Sequence, residues 1–137
     1  MSDRDDFLAW FNADWRAAEI ALHGGDPEPR FHTWSDREPV TVFGAWLDAI
    51  GPDAVRALFI RLGDTFSRAT SSDIALIAAE VGGDLAYTVH REITSATVDG
   101  QARDYVLRVT QVYRREAGAW KVVHRHADEQ PDARQGP

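Results

Sequence analysis

The sequence predicts an α+β fold: a cone-shaped roll in which N-terminal helices pack on a strongly curved, mostly antiparallel sheet. Apolar residues recur at helical spacing in the first half of the chain, whereas period-two alternation typical of strands dominates after about residue 73. Turn residues divide this second half into four consecutive segments. Helices followed by a run of strands indicate the α+β class. A curved sheet covered by helices on one face is expected to enclose a pocket.

Composition limits the function classes. The 137 residues suffice for one domain, which we expect over 1–128, with a polar, proline-bearing tail over 129–137. A net charge of −7 is the opposite of the basic surface that nucleic-acid binding requires. No apolar run approaches the roughly 18 residues of a membrane helix, the N-terminus lacks a signal-peptide pattern, and there are no cysteines. We therefore expect a cytoplasmic protein without nucleic-acid or membrane partners.

The first helix is expected from about Asp3 to Leu22, with Ser2 and Asp5 forming a capping box. Its apolar stripe comprises Leu8, Phe11, Trp15, Ala18 and Leu22, and leaves Phe7 and Trp10 outside its narrowest form. Residues 26–39 contain three prolines and are expected to form a loop with at most one helical turn. A large aromatic side chain in a loop is usually anchored, so Trp34 is expected to be buried.

A short strand is expected over Val40–Phe43, followed by a second long helix from Pro52. The buried stripe of this helix comprises Val55, Leu58, Phe59, Leu62 and Phe66. Strands are then expected over 73–81 and 85–98, and two long strands pair around a hairpin within 105–128. Gly82-Gly83-Asp84 and Asp99-Gly100 supply turns between the strands.

The last hairpin contains the most informative polar residues. A three-residue loop at 116–118 sets Arg115 opposite Ala119, and side chains two apart on a strand share a face. Arg108, Thr110, His124 and His126 are therefore expected on one face of the sheet. A turn centred on Gly100 would also set Glu92 opposite Arg108. The polar row either lines a wet pocket or is simply solvated.

Several segments resemble a known family. They are Trp34-Ser35, residues 39–46 (PVTVFGAW), residues 83–87 (GDLAY), Glu92, residues 107–113 (LRVTQVY) and residues 118–128 (GAWKVVHRHAD). They resemble the SnoaL-like proteins of the nuclear transport factor two-like superfamily, which also holds ketosteroid isomerases and the association domain of calmodulin-dependent kinases. The order of helices and strands agrees over nearly all of residues 3–128.

The resemblance implies a cone of cystatin-like architecture with an apolar cavity between sheet and helices, and frequently a homodimer through the outer sheet face. It also implies acid–base chemistry, without a cofactor, on small and mostly apolar molecules. The isomerase branch of the superfamily uses an aspartate base, with a tyrosine and a protonated aspartate as oxyanion donors. Tyr87 and Tyr113 are available here, but no aspartate occupies a matching strand position.

Three residues are candidate catalytic groups: His126, Glu92 and Arg108. Histidine titrates near neutrality, so His126 can serve as a general acid or base. Arg108 would bind a carboxylate or an enolate, while Glu92 acts as a base or orients a histidine. Alternatively, Glu92 and Arg108 form a cross-strand ion pair that fixes the register, and the histidines hydrogen-bond across the sheet.

The candidate ligand pocket comprises Trp15, Trp34, Phe43, Trp46, Phe59, His90, Thr110 and His124. Trp34 and Trp46 are the aromatic side chains best suited to stack on a flat ligand, although all five aromatic residues also suit a core. The spacing of His124, His126 and Asp128 permits a metal site, but we predict neither a metal nor a cofactor.

Two hypotheses about function follow. In the first, the cone binds a small apolar or aromatic organic molecule and isomerises, cyclises or dehydrates it by acid–base chemistry. In the second, the fold is a non-catalytic dimeric association module or ligand carrier. Outer-face residues such as Val109, Gln111, Tyr113 and Val123 would then matter most.

Overall fold

The computed structural model of the chain describes residues 2–131, without the side chains of residues 68–71. Residues 132–137 of the expected tail lie outside the described part. The helical elements are α1 (Asp3–Trp10), a π-helical turn (Phe11–Trp15), α2 (Arg16–His23), α3 (Glu28–Thr33) and α4 (Pro52–Thr65). The strands are β1 (Thr41–Phe43), β2 (Asp48–Ile50), β3 (Phe66–Gly82), β4 (Leu85–Val98), β5 (Gln101–Glu116) and β6 (Ala119–Glu129).

All six strands form one curved sheet in the order β2-β1-β6-β5-β4-β3. The four long strands are consecutive and antiparallel, as the sequence predicts, and β1 joins β6 in parallel. Strand β2, which the sequence analysis does not predict, pairs with β1 at the sheet edge. Aromatic side chains of the N-terminal helices share one core with the face of β5 and β6 that they cover. The α+β cone is therefore confirmed, and we call the covered face of the sheet the inner face and the opposite face the outer face.

The first predicted helix is continuous but contains a π-helical turn. Ser2 and Asp5 form the predicted capping box at its start. Phe7, which the simple stripe leaves out, is fully buried together with Phe11 and Trp15, and the last two rings stack 4.5 Å apart. The wider π turn inserts a residue into the helical repeat. A strictly α-helical spacing therefore predicts the wrong buried side chains in the first turn.

The proline-rich segment folds into the short helix α3, and the anchoring of Trp34 is confirmed. The Trp34 ring is buried and contacts the edge of Phe59 at 4.9 Å between centroids. A bridge between Trp34 and Val122 also attaches this segment to β6.

The register of the last hairpin differs from the predicted one. Glu116 lies opposite Ala119, so the turn has two residues, and both Ala117 and Gly118 have positive φ. A β-bulge at Val123 then shifts the pairing again, so that Thr110 lies opposite His126 and not His124. Together the two shifts move the register by an even number of residues, so the predicted sharing of one face by Arg108, Thr110, His124 and His126 survives.

The turn between β4 and β5 also has two residues, Asp99 and Gly100. Glu92 consequently lies opposite Leu107, and Arg108 lies opposite Arg91. A one-residue change of register moves a side chain to the other face. The predicted pair of Glu92 with Arg108 is therefore wrong, because these two side chains project from opposite faces of the sheet.

Candidate functional site

The predicted polar row lies on the outer face, away from the helices. Arg108, Thr110 and His126 are exposed, and His124 is half-buried. Phe43, predicted as a pocket residue, lies beside the two histidines on this face, with ring centroids 5.6 and 5.9 Å from them. Arg108 donates two hydrogen bonds to Asp128. The structure thus separates Arg108, His126, Thr110, His124 and Phe43 from the inner side of the cone.

The other predicted pocket residues lie on the inner side, with different roles. Trp15, Trp34 and Phe59 are buried in the aromatic core. They do not line the cavity that lies between the helices and the inner face of the sheet, which we call the inner cavity. Trp46, predicted as a pocket residue suited to stack on a flat ligand, is 43% exposed and stands at the mouth of that cavity. His90 is fully buried beside Glu92.

Three of the residues predicted on the outer face of an association module lie on the inner face instead. Val109, Gln111 and Tyr113 are buried on the inner face. They alternate along β5 with the exposed Arg108 and Thr110, so period two places all three on the inner face together, including the polar Gln111.

The inner cavity lies between α2, α4, the β1–β2 turn and the inner face of the sheet. The space open to the centre of a water molecule is about 50 Å³, enough for about four waters. Most of its lining is apolar: Leu22, Val42, Ala45, Leu47, Leu58, Leu62, Phe66, Leu107 and Ala127. Its polar lining consists of five side chains that come from five different elements: His23, Arg30, Glu92, Tyr105 and Arg125.

Two buried ion pairs form the polar end of the cavity. Arg125 donates to both carboxylate oxygens of Glu92 at 2.8 and 2.7 Å. Arg30 donates to both oxygens of Glu19 at 2.8 and 2.6 Å, and Arg125 lies 3.7 Å from the same carboxylate. The two positive and two negative charges balance, which is what allows four charged groups to be buried together.

Burial by itself would raise the pKa of the Glu92 carboxyl. The charge and hydrogen bonds of Arg125, aided by His90, outweigh that effect and hold the pKa of Glu92 well below its usual range. Glu92 is consequently ionised at neutral pH. An ionised carboxylate inside a cone is a fixed negative charge that orients its neighbours, and it is a poor proton acceptor.

A chain of buried hydrogen bonds extends from Glu92 along the inner face. The Nε2 of His90 donates to Glu92 at 3.0 Å, because an ionised carboxylate only accepts. The Nδ1 of His90 lies 3.3 Å from the Thr88 hydroxyl, which lies 2.6 Å from the Tyr113 hydroxyl. The Gln111 amide donates to Tyr113 at 2.6 Å and accepts from Arg125 at 3.0 Å, which closes the ring of contacts.

A histidine–tyrosine pair lies beside the ion pairs. The Nδ1 of His23 lies 2.7 Å from the backbone carbonyl of Glu19, and its Nε2 lies 3.1 Å from the Tyr105 hydroxyl. A carbonyl oxygen only accepts, so the proton of the neutral ring is on Nδ1 and the lone pair of Nε2 accepts from Tyr105.

The environment keeps both members of this pair uncharged at neutral pH. Burial lowers the pKa of His23 from 6.5, although the Glu19 carbonyl opposes the shift. Burial, together with the negative charge of Glu92, raises the pKa of Tyr105. His23 therefore offers a basic nitrogen, and Tyr105 offers a hydroxyl that already donates to that nitrogen.

The two arginines keep unused donors at the cavity. Glu19 occupies the Nε and one Nη of Arg30, and the hydrogen bonds of Arg125 to Glu92 and Gln111 use only its two Nη atoms. Within residues 2–131, the Nη1 group of Arg30 and the Nε of Arg125 have no acceptor. Both side chains line the cavity, so these N–H groups are available to an oxygen atom of a ligand.

Five residues of this site were not predicted from the sequence: His23, Arg30, Glu19, Tyr105 and Arg125. Glu19 and His23 follow Trp15 at steps of four on the buried side of the first helix, which is a readable signal. Tyr105 begins the apolar alternation of β5 on its inner face. Arg125 follows the bulge at Val123, which reverses the alternation within β6, and no local pattern predicts it.

Within the described chain, no group of three or more His, Cys, Asp or Glu side chains has the geometry to hold a metal ion. No helix among residues 2–131 has the length and apolar character needed to cross a bilayer.

Solved structures share this fold. A protein from Thiobacillus denitrificans, provisionally named a calcium/calmodulin-dependent protein kinase type II association domain, is 21% identical, with a TM-score of 0.73 over 88% of this chain and 94% of that chain. A ketosteroid isomerase-like protein from Erwinia carotovora is 16% identical, with a TM-score of 0.73 over 91% and 97%. A Streptomyces avermitilis protein of the NTF2-like family, provisionally named a dehydratase, is 19% identical, with a TM-score of 0.74 over 93% and 99%.

At these identities the likeness establishes the fold alone. No curated protein matches the chain. The model of the SnoaL-like domain family matches residues 8–128, which is nearly the whole of the described fold. The chain therefore belongs to the SnoaL-like domain family.

Proposed function

We propose that this protein binds a small, largely apolar carbonyl compound in the inner cavity and transfers a proton on it without a cofactor. The observation that carries the proposal is the His23–Tyr105 pair, which faces an apolar cavity next to the unused donors of Arg30 and Arg125. Such a cavity, with a few convergent polar groups and shifted pKa values, is the usual form of a small-molecule site.

The proton path follows from the hydrogen-bond directions. Tyr105 donates to Nε2 of His23, so its oxygen presents a lone pair to the cavity. A proton leaving a ligand carbon next to a carbonyl passes to the Tyr105 oxygen, while the hydroxyl proton of Tyr105 passes to His23. The imidazolium that forms is stabilised by the nearby carboxylates of Glu19 and Glu92. The negative charge left on the ligand oxygen is met by N–H groups of the arginines.

The size of the cavity restricts the ligand. Space for about four waters admits only a compact molecule in the present arrangement. Trp46 forms one wall at the mouth, where its indole nitrogen donates to Glu129 at 3.1 Å and its ring meets the edge of Tyr105 at 5.4 Å. A larger ring system therefore requires Trp46 to move, which breaks its exposed hydrogen bond to Glu129 and its ring contacts with Tyr105 and Arg103.

The test uses a panel of small aliphatic and aryl ketones in deuterated buffer. Calorimetry measures binding, and NMR measures deuterium incorporation next to the carbonyl. Tyr105→Phe keeps the ring and removes the hydroxyl; it should weaken binding by up to about tenfold and slow exchange by about a hundredfold. The matched control is Tyr87→Phe on the outer face, where Tyr87 is exposed, and it should change neither quantity. Exchange no faster than in buffer for every ketone, or equal rates in the two variants, would overturn the proton-transfer role.

The outer face favours a second candidate function, a homodimeric association module. Tyr87 and Ile93 on β4, and Ile77 on the neighbouring strand β3, expose apolar side chains on this face. Exposed apolar surface of this kind commonly marks protein interfaces. Light scattering tests the proposal: the wild type should have the mass of two chains, and Tyr87→Glu should have the mass of one. Ile60→Glu, at an equally exposed position on α4, is the control. A monomeric wild type would contradict this function and leave the inner-cavity proposal standing.

A further inference from the structure

A second, positively charged groove crosses the outer face. It is lined by Ile77, Val89, Arg91, Arg108, Thr110, His126 and Asp128, and the space open to water centres is about 270 Å³. Strands β3, β4, β5 and β6 all contribute to it. The register shift between Leu76 and Ala78 interrupts the pairing of β3 next to Ile77, which provides an apolar wall. The groove and the inner cavity are on opposite faces of the same strands.

The arrangement of arginines in the groove is unusual for so acidic a chain. Arg91 and Arg108 lie directly opposite each other on β4 and β5, a position in which like charges repel and destabilise the sheet. Asp128 offsets only one of the two positive charges. The groove therefore keeps a net positive charge from these three residues, in a protein whose formal net charge is −7.

Most hydrogen-bond donors of these arginines are open to a ligand. Arg91 uses its Nε to bind the Gln130 amide oxygen at 2.8 Å, and Arg108 uses its Nε and Nη2 to bind Asp128. Among the described residues, the two Nη groups of Arg91 and the Nη1 group of Arg108 have no acceptor. The Thr110 hydroxyl and the His126 ring flank them on the floor of the groove.

We propose that this groove is a second binding site, specific for the oxyanion of a small organic phosphate or carboxylate. The paired guanidinium groups suit the several oxygens of such an anion, since arginine binds phosphate and carboxylate through parallel N–H bonds. Ile77 and Val89 then contact the apolar part of the ligand. An oxyanion placed between Arg91 and Arg108 also removes the repulsion that the cross-strand pairing creates.

The site is distinct from the proton-transfer site in composition and position. The four charges of the inner ion pairs cancel, whereas the outer groove keeps one unbalanced positive charge. The groove lies on the face that carries the exposed apolar residues, so in a dimer built through that face the anion would lie at or beside the contact between copies.

The test titrates inorganic phosphate and phenyl phosphate into the full chain, with chloride balancing the ionic strength. NMR follows the backbone amides of Arg91, Arg108, Thr110 and His126. Saturable chemical-shift changes are expected for both probes. Phenyl phosphate should bind more tightly than inorganic phosphate if its ring contacts the apolar wall of the groove. Equal affinity for the two probes would identify the free oxyanion as the ligand.

Three substitutions make the assignment specific. Arg91→Gln should weaken phosphate binding at least about fivefold, because it removes one of the two cations. Asp128→Asn should strengthen binding at least about threefold, because it removes a competing charge from Arg108. Arg16→Gln is the matched control, since Arg16 also pairs with an exposed aspartate, Asp73, but lies elsewhere on the surface. Non-saturating shifts, or equal affinities in all four proteins, would overturn the proposal.

Discussion

Two bidentate arginine–carboxylate pairs lie on the two faces of one sheet. Arg125 binds both oxygens of Glu92 on the inner face, and Arg108 binds both oxygens of Asp128 on the outer face. The inner side chains are 7% and 4% exposed, whereas the outer ones are 49% and 53% exposed. The largest difference between the two pairs is therefore their burial, on which the contribution of an ion pair to stability depends strongly.

The pKa shifts show the same difference. Burial opposes the ionisation of Glu92, and the partnership with Arg125, aided by His90, keeps its pKa low. The pKa of Asp128 is lowered chiefly by its hydrogen bond from Arg108, with water still present around the carboxylate. Loss of the arginine should therefore lower the free energy of unfolding strongly on the inner face and only slightly on the outer face.

Replacement of the inner arginine should have the largest effect. Arg125→Met leaves Glu92 as a buried, unpaired charge, which costs about 3–5 kcal/mol of unfolding free energy. Arg108→Met on the outer face should change the urea midpoint no more than the experimental error, because exposed pairs contribute little. Urea denaturation followed by circular dichroism measures both. If Arg125→Met alone prevents folding, the double variant Arg125→Met/Glu92→Gln should recover part of the stability. Equal midpoints for the two arginine variants would contradict the comparison.

Removal of one buried hydroxyl should have an intermediate effect. Thr88→Val keeps the shape of the side chain and breaks the hydrogen bonds to Tyr113 and His90, which should cost about 1–3 kcal/mol. Thr110→Val on the exposed face of the next strand should stay within about 0.5 kcal/mol of the wild type. Thermal and urea unfolding of both variants provide the measurement. A cost for Thr110→Val as large as that for Thr88→Val would show that the outer row is also structural.

The pH dependence of stability should follow the buried histidine. The pKa of His23 is lowered from 6.5 on folding, so the unfolded chain binds a proton more readily than the folded one. The contribution of His23 to stability is therefore complete above the unfolded pKa and declines as the pH falls below about 6.5. The lowered pKa of Glu92 adds a loss of the same sign at pH values below 4.5.

His23→Gln should flatten the decline between about pH 7 and pH 5, measured by urea unfolding at several pH values. His124, whose pKa is lowered by burial and by nearby His126, contributes in the same direction from the outer face. His124→Gln should remove a smaller part of the slope because that ring is half-exposed. An NMR titration of His23 with a midpoint at or above 6.5 would contradict this assignment.

The smallest effect is expected at the turn that sets the register of both faces. Ala117 adopts a φ of 50°, which costs a residue other than glycine about 1–2 kcal/mol. Ala117→Gly should relieve that strain. Because glycine also gives the unfolded chain more freedom, which offsets part of the gain, the net rise in unfolding free energy should be about 0.5–1 kcal/mol. Asp99→Gly at the equivalent turn should gain less, because aspartate tolerates this conformation. Differential scanning calorimetry compares the two, and a loss of stability in Ala117→Gly would contradict the expected relief.

Local patterns of the sequence determined the order of the elements. The strand over Leu85–Val98, the helix from Pro52, the turn at Asp99-Gly100 and the buried Trp34 all follow from periodicity and turn chemistry, which act over a few residues. The resemblance that identified the SnoaL-like family rests on equally local segments. These features are predictable because neighbouring residues alone decide them.

Only the tertiary structure decided which side chains face the cavity. Two turns of two residues and a bulge at Val123 set the register of β4, β5 and β6, and a shift by one residue moves every side chain to the opposite face. Arg125 meets Glu92 across 33 residues of sequence, and His23 meets Tyr105 across 82. Such contacts depend on how separate elements are placed in space, so no pattern within one element could assign the inner site.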